Sequence, residues 1–146
     1  MTAAVNDYVP EHVIKKKLRR KRNFLTLKLR RTTDIVARVG RSPKKLIVVG
    51  FSLETENITA YTRAKLKRKN LDLIVGNQYS KGVNPFGENK PTVLFVNRQG
   101  KSYKLAKQSK SVIARRVLSE TLALLKQKHI LGLKSTLRDL VKTLEG

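Results

Sequence analysis

Residues 47–75, IVVGFSLETENITAYTRAKLKRKNLDLIV, constrain this chain more than any other stretch. An apolar run, Ile47-Val48-Val49, reads as a buried strand that delivers Gly50, Phe51, Glu54 and Thr55 into a turn. A helix is predicted next, carrying Arg63, Lys65, Lys67, Arg68 and Lys69, and a second apolar run, Leu71-Asp72-Leu73-Ile74-Val75, follows it. Strand, helix and strand in that order form a β-α-β unit. Open α/β sheets bind ligands beyond the C-terminal ends of their parallel strands, so this unit suits a phosphorylated small molecule.

The rest of the chain sets bounds. Its 146 residues make one domain with a real core. No apolar run approaches the roughly 18 residues of a membrane span, so no membrane partner is expected. A secretory signal is not visible, which points to a cytoplasmic protein. The absence of cysteine excludes disulfides, thiolate metal sites and cysteine nucleophiles, and the two histidines, His12 and His129, are too far apart to suggest a ligand pair. Charge is the outlier: 33 Lys and Arg against 10 Asp and Glu give +23. Such a surplus implies a polyanionic partner, whether nucleic acid, nucleotide phosphates or an anionic surface.

Along the chain, Thr2–Val5 reads as a short strand. Residues 11–31 hold ten cations and one acid, Glu11, and the run KKKLRRKR (15–22) is expected to be a loop or flap. Phe24 to Leu29 alternates, which places Leu25, Leu27 and Leu29 on one face of a half-buried strand. Thr33-Asp34 can cap a short helix through Ile35, Val36 and Val39, ended by Gly40 and Pro43. A polar loop spans 77–91, Thr92–Val96 is a strand, and Arg98–Lys101 is a hairpin turn into Ser102–Leu105. Ser109 can cap a helix with Ile113, Val117, Leu118, Thr121, Leu122 and Leu125 on one stripe. Behind a further cap at Ser135, Leu137, Leu140, Val141 and Leu144 form a second stripe. The expected fold is α/β: a Rossmann-like, mostly parallel sheet flanked by helices, with an antiparallel edge or hairpin.

Several residues have two readings. Lys65 and Lys69 lie one helical turn apart and can reach one phosphate chain, or they belong to a solvated basic face. Across 57–71 no acid stands among the five cations, which favours an anion site. Gly50 lets a backbone approach a ligand and Phe51 offers a face for a base, although a strand-end phenylalanine is more often core. Glu54 and Thr55 either cap the helix or orient a ligand. Asp7 could contact a ribose hydroxyl or a magnesium ion, or simply close a strand into a turn. Asn77 is open in the same way, and His12 reads as a surface or flap residue.

Taken together these residues resemble the phosphopantothenate–cysteine ligase family of coenzyme A biosynthesis. MTAAVNDY (1–8), DIV (34–36) and above all VVGFSLETEN…RAKLKRKNLDLIVGN (48–77) carry the resemblance, with weaker agreement through Pro85-Phe86-Gly87 to about residue 126. It implies the C-terminal half of a ligase-like domain over 1–127; residues 128–146 extend past the resemblance, and their apolar stripe reads as an amphipathic helical tail. It also implies nucleotide contacts at Asp7, Thr33, Asp34, Ile35, Val36, Phe51, Lys65 and Lys69, with magnesium, possible at Asp7, accompanying the nucleotide. The reaction it implies uses CTP: the 4′-phosphopantothenate carboxylate attacks the α-phosphate, pyrophosphate leaves, and the cysteine amine displaces CMP from the acyl-cytidylate. Lys65 and Lys69 would act electrostatically on the triphosphate. Family members pair as dimers through strands of this region, so the expected partner is a second copy or a chain supplying a missing N-terminal half.

Some features depart from the family. Its flap begins Lys-Ile-Lys-Lys, whereas the matching run here is Val13-Ile14-Lys15-Lys16, leaving Lys15 as the candidate flap lysine. Relatives have Asn-Asp where this chain has Asn77-Gln78. Met1 stands inside the family's strand, so the chain is expected to begin in mid-domain. The phosphate-cradling loop and the asparagine that handles the acyl intermediate would then lie elsewhere, and no flavin is expected here. A rival expectation, built on the charge, is a family remnant serving as a basic RNA-associated structural protein, for example on the ribosome. Scarce aromatics (four Phe, four Tyr, no Trp) count against it.

Overall fold

A computed structural model describes residues 6–17, 24–43, 46–79 and 90–144, with only the backbone of 134–137 and 139–144. The expected strand Thr2–Val5, most of the KKKLRRKR run and the Pro85-Phe86-Gly87 segment lie outside these residues. The chain divides into two compact units, 1–35 and 36–146. No helix among the described residues is long and apolar enough to cross a membrane.

The smaller unit is a two-stranded antiparallel ribbon. Strand β1 (Tyr8–Pro10) pairs with β2 (Leu29–Arg31), Tyr8 opposite Arg31 and Pro10 opposite Leu29. Backbone bonds from Glu11 N to the Lys28 carbonyl (2.9 Å) and from Thr32 N to the Asp7 carbonyl (2.9 Å) extend the ladder at both ends. The half-buried strand expected over Phe24–Leu29 does not form. Pairing starts only at Leu29, and Leu25, Leu27 and Leu29 are all more than half exposed. Burying an alternating face takes a second layer, which alternation by itself does not supply.

Helix α1 (Ile35–Gly40) forms where Thr33-Asp34 predicted it. The larger unit then holds β3 (Val49–Glu54), α2 (Ile58–Arg68), β4 (Leu73–Gln78), β5 (Val93–Asn97), β6 (Ser102–Leu105) and α3 (Lys110–Leu144). The strands form one sheet in the order β3-β4-β5-β6. The β-α-β unit makes β3 and β4 parallel, with Val49 opposite Leu73 and Glu54 opposite Gln78. The other two pairings are antiparallel, the last because a turn as short as Arg98–Lys101 can only reverse the chain. The α/β class, the flanking helices and the antiparallel hairpin edge are as expected, in a sheet that is mixed.

Side chains alternate across this sheet. On one face Ile74, Leu94 and Val96 pack with Ile58 and Leu66 of α2 and with Leu71. On the other, Leu73, Val75, Val93 and Phe95 pack with Ile113 of α3, with Val117 and Leu124 against them. The predicted α3 stripe is only partly right: Leu118, Leu122 and Leu125 are exposed. Ser109 Oγ does accept from Val112 N at 3.3 Å, as its capping role requires. No new helix starts behind Ser135, because α3 runs unbroken through it.

Tyr103 ties α3 to the hairpin. Its ring stacks on Phe95 at 5.1 Å, and its hydroxyl donates to Glu120 Oε1 at 2.8 Å. Burial first, and then the Glu120 bond, push the Tyr103 pKa well above the usual tyrosine value. The folded chain therefore keeps a proton that the unfolded chain releases near pH 10. This contribution to stability is complete below about pH 10 and is lost as the pH climbs toward the folded value. Above about pH 10, Tyr103→Phe is expected to lose stability less steeply than the parent in denaturation followed by circular dichroism.

Candidate functional site

The C-terminal ends of β3 and β4 are where a parallel pair offers a ligand its crevice. β3 starts at Val49 and continues through Gly50 and Phe51 to Glu54, so Gly50-Phe51 is mid-strand rather than a strand exit. The chain turns after Glu54. The helix cap is Asn57, whose left-handed backbone (φ 39) suits asparagine and whose side chain accepts from Ala60 N at 3.4 Å. Neither Glu54 nor Thr55 is the N-cap.

Glu54 has a different role. It is buried, points to the α2 side of the sheet, and meets Lys65 Nζ at 2.7 Å. A carboxylate taken out of water needs such a partner. The carboxylate side chain is 7% exposed and the lysine 33%, so the pair sits at the surface with only its cationic end open to a ligand. Lys69 caps α2 one turn further on, its backbone N donating to the Lys65 carbonyl at 3.0 Å. The two lysines keep the spacing that the sequence predicted, but Lys65 already has a counter-ion. That acid comes from β3, outside the helix in which the sequence showed none.

Phe51 is 70% exposed and faces the α3 side. It lines a mostly apolar cleft of about 460 Å³ with Val75, Asn77, Val93, Ile113 and Val117. Alternation along β3 therefore sets Phe51 and Glu54–Lys65 on opposite faces of the sheet. Asn77 Oδ1 is buried at this cleft with no hydrogen-bond partner among the described residues. Val36 packs against the α2-side core. The remaining predicted contacts belong to the smaller unit: Asp7, Lys15, Thr33, Asp34 and Ile35 are all exposed there. Among the described residues no group of three or more His, Asp or Glu side chains is placed to hold a metal ion.

The β-α-β crossover, the helices on both faces and the polar groups at the strand ends define a Rossmann-like α/β domain. The chain belongs to the family described as DNA/pantothenate metabolism flavoprotein C-terminal domain, whose model matches residues 1–125. The resemblance to the phosphopantothenate–cysteine ligases thus holds. The chain is 39% identical over 126 residues to the coenzyme A biosynthesis bifunctional protein CoaBC of Bacillus subtilis (strain 168), covering 86% of this chain and 31% of that protein. It is 34% identical over 119 residues to the protein of that name from Vibrio cholerae, covering 80% and 30%. Among solved structures, the C-terminal domain of coenzyme A biosynthesis bifunctional protein CoaBC superposes with a TM-score of 0.65 at 28% identity, over 86% of this chain and 53% of that one. The chain therefore spans about a third of the length of these curated relatives.

Proposed function

We propose that this chain is the nucleotide-holding part of a phosphopantothenate–cysteine ligase and that its nucleotide is CTP. The observation that carries the reading is the Glu54–Lys65 pair at the strand end, with Lys69 one turn away. Glu54 fixes the Lys65 ammonium in place, so little side-chain freedom remains to be lost when a triphosphate arrives. Lys65 and Lys69 then stabilise the negative charge that moves onto pyrophosphate as the substrate carboxylate forms its bond to the α-phosphorus. Magnesium would come with the nucleotide's own phosphates. In the second step the cysteine nitrogen bonds to the acyl carbon, the acyl–phosphate C–O bond breaks, and CMP leaves. Two copies, or a copy and a second chain, would complete the site.

The test is a titration of the chain with CTP, ATP and GTP in the presence of magnesium. CTP is expected to bind best, and Lys69→Ala to weaken it about tenfold with the fold intact. Lys65→Ala is less informative, because it leaves Glu54 buried and unpaired. It should cost about 2 kcal/mol of stability, short of the ~3–5 for a fully enclosed pair because a third of Lys65 faces water. Lys65→Arg keeps the pair and separates the two effects. Equal weak binding of all three nucleotides, unchanged in Lys69→Ala, would overturn the reading.

A further inference from the structure

On the other flank of α2 a different set of cations is in line. Arg63 Nη2 donates to Ser102 Oγ at 2.8 Å, which pins that side of the helix to β6. Lys67 is one turn down α2 from Arg63, about 6 Å away. Lys104 lies two residues up β6 from Ser102, roughly 7 Å along the same face, because Tyr103 and Leu105 turn to the α3-side core. α2 runs opposite in direction to β6, so the order along the groove is Lys104, Arg63, Lys67. All three are exposed.

The described segments that build this surface carry no acid of their own. Residues 57–71 and 93–107, which build α2, β5, the hairpin and β6, contain nine cations and no acid. Among the described residues, Glu54 holds Lys65 on the opposite flank, Asp72 holds Arg98, and the exposed Glu56 precedes the Asn57 cap, at the end of α2 away from Lys67. A lysine on an edge strand such as β6 also guards against edge-to-edge pairing. That purpose requires neither Arg63 nor Lys67 to continue the row.

We infer that the groove between α2 and β6 docks the phosphate backbone of a nucleic-acid strand, through Lys104, Arg63 and Lys67, at a surface separate from the Lys65 site. A row of cations at this spacing neutralises successive phosphates, and it displays no aromatic ring on which a base could stack. Binding is therefore expected to be electrostatic and indifferent to sequence.

The experiment is fluorescence anisotropy of the full chain with labelled single-stranded RNA, single-stranded DNA and duplex DNA over a range of salt. The triple variant Arg63→Gln/Lys67→Gln/Lys104→Gln is compared with Arg115→Gln/Lys126→Gln/Arg138→Gln, which removes the same charge from α3. The groove variant is expected to bind at least tenfold more weakly and to lose about 2–3 from the slope of log affinity against log salt. The α3 variant should stay within about threefold of the parent. The three nucleic acids show which source of the shared phosphate chemistry fits best. The inference fails if both variants weaken equally, if neither does, or if phosphatidylserine vesicles bind as tightly and with the same dependence on the groove. Nucleotide titration of the groove variant should match the parent, so loss of the proposed CTP reading would leave this result standing.

Discussion

Gly76→Ala is expected to lower the stability of the larger unit by about 3 kcal/mol. Gly76 is a buried β4 residue under α2, and a Cβ there would lie 2.3 Å from Thr62 Oγ1, 3.2 Å from Thr62 Cγ2 and 3.3 Å from Ile58 Cγ1. Thr62 is fully buried, so it cannot swing into solvent. Its hydroxyl oxygen has no hydrogen-bond partner among the described residues, so removing it sacrifices little. Thr62→Ala alone should therefore fall within about 1 kcal/mol of the parent. The double variant Gly76→Ala/Thr62→Ala should regain at least about 2 kcal/mol of the loss. Urea denaturation of the four proteins measures this coupling. If the double variant shows the simple sum of the single losses, the close approach of Thr62 is not what requires glycine at this position.

Asp72→Ala comes next, at about 2–3 kcal/mol. Asp72 is a charged residue inside an apolar run, and its two oxygens join three segments. Oδ2 accepts from Val48 N at 2.8 Å, just ahead of β3, and Oδ1 meets Arg98 Nε at 3.3 Å in the hairpin turn. Arg98 also donates to the Asn70 carbonyl at 3.0 Å, closing the end of α2. Alanine strands the Val48 N–H and leaves the Arg98 guanidinium, about half exposed, to water. Asp72→Asn can still accept from Val48 and should lose only about half as much. Equal losses for Ala and Asn, both under about 0.5 kcal/mol, would show that the bridge contributes nothing.

From α1 to the start of α3 the order of strands and helices was legible in the sequence because those elements announced themselves locally, whereas β1 (Tyr8–Pro10) had no such signal. The run Leu73–Val75, the Ser109 cap and the hairpin turn all fall where periodicity and turn residues put them. Errors arose where the partner was distant in sequence. Leu25 and Leu27 alternate correctly, yet a strand also needs a layer to cover it, and alternation carries no information about that layer. Glu54 reads as a cap because it precedes a helix, yet the cap is Asn57. One signal could have found its role: Gly50, Ser52 and Glu54 share a face of β3, and the helix that follows must cross that face to reach β4. Arg63 and Ser102 are 39 positions apart, and nothing local to either points to the other. Of the candidate site, the lysine spacing was readable, whereas the separation of Phe51 from Lys65 follows only once Glu54 is known to hold Lys65, since residues 51 and 54 of one strand face opposite ways.

Helix α3 is 35 residues long, about 52 Å, while the six-residue strands beneath it span roughly 20 Å. Its packed residues Ile113, Val117 and Leu124, and the bond from Lys128 Nζ to the Leu46 carbonyl at 2.8 Å, all belong to its first nineteen residues. One rod thus contains two thermodynamic regimes. Amides near Ile113 can exchange with deuterium only when the whole larger unit opens, whereas those past Lys128 can exchange by fraying inward from the end. Protection along α3 should fall off as a gradient, and the position of its midpoint reports how far the sheet's stabilising influence reaches along the helix.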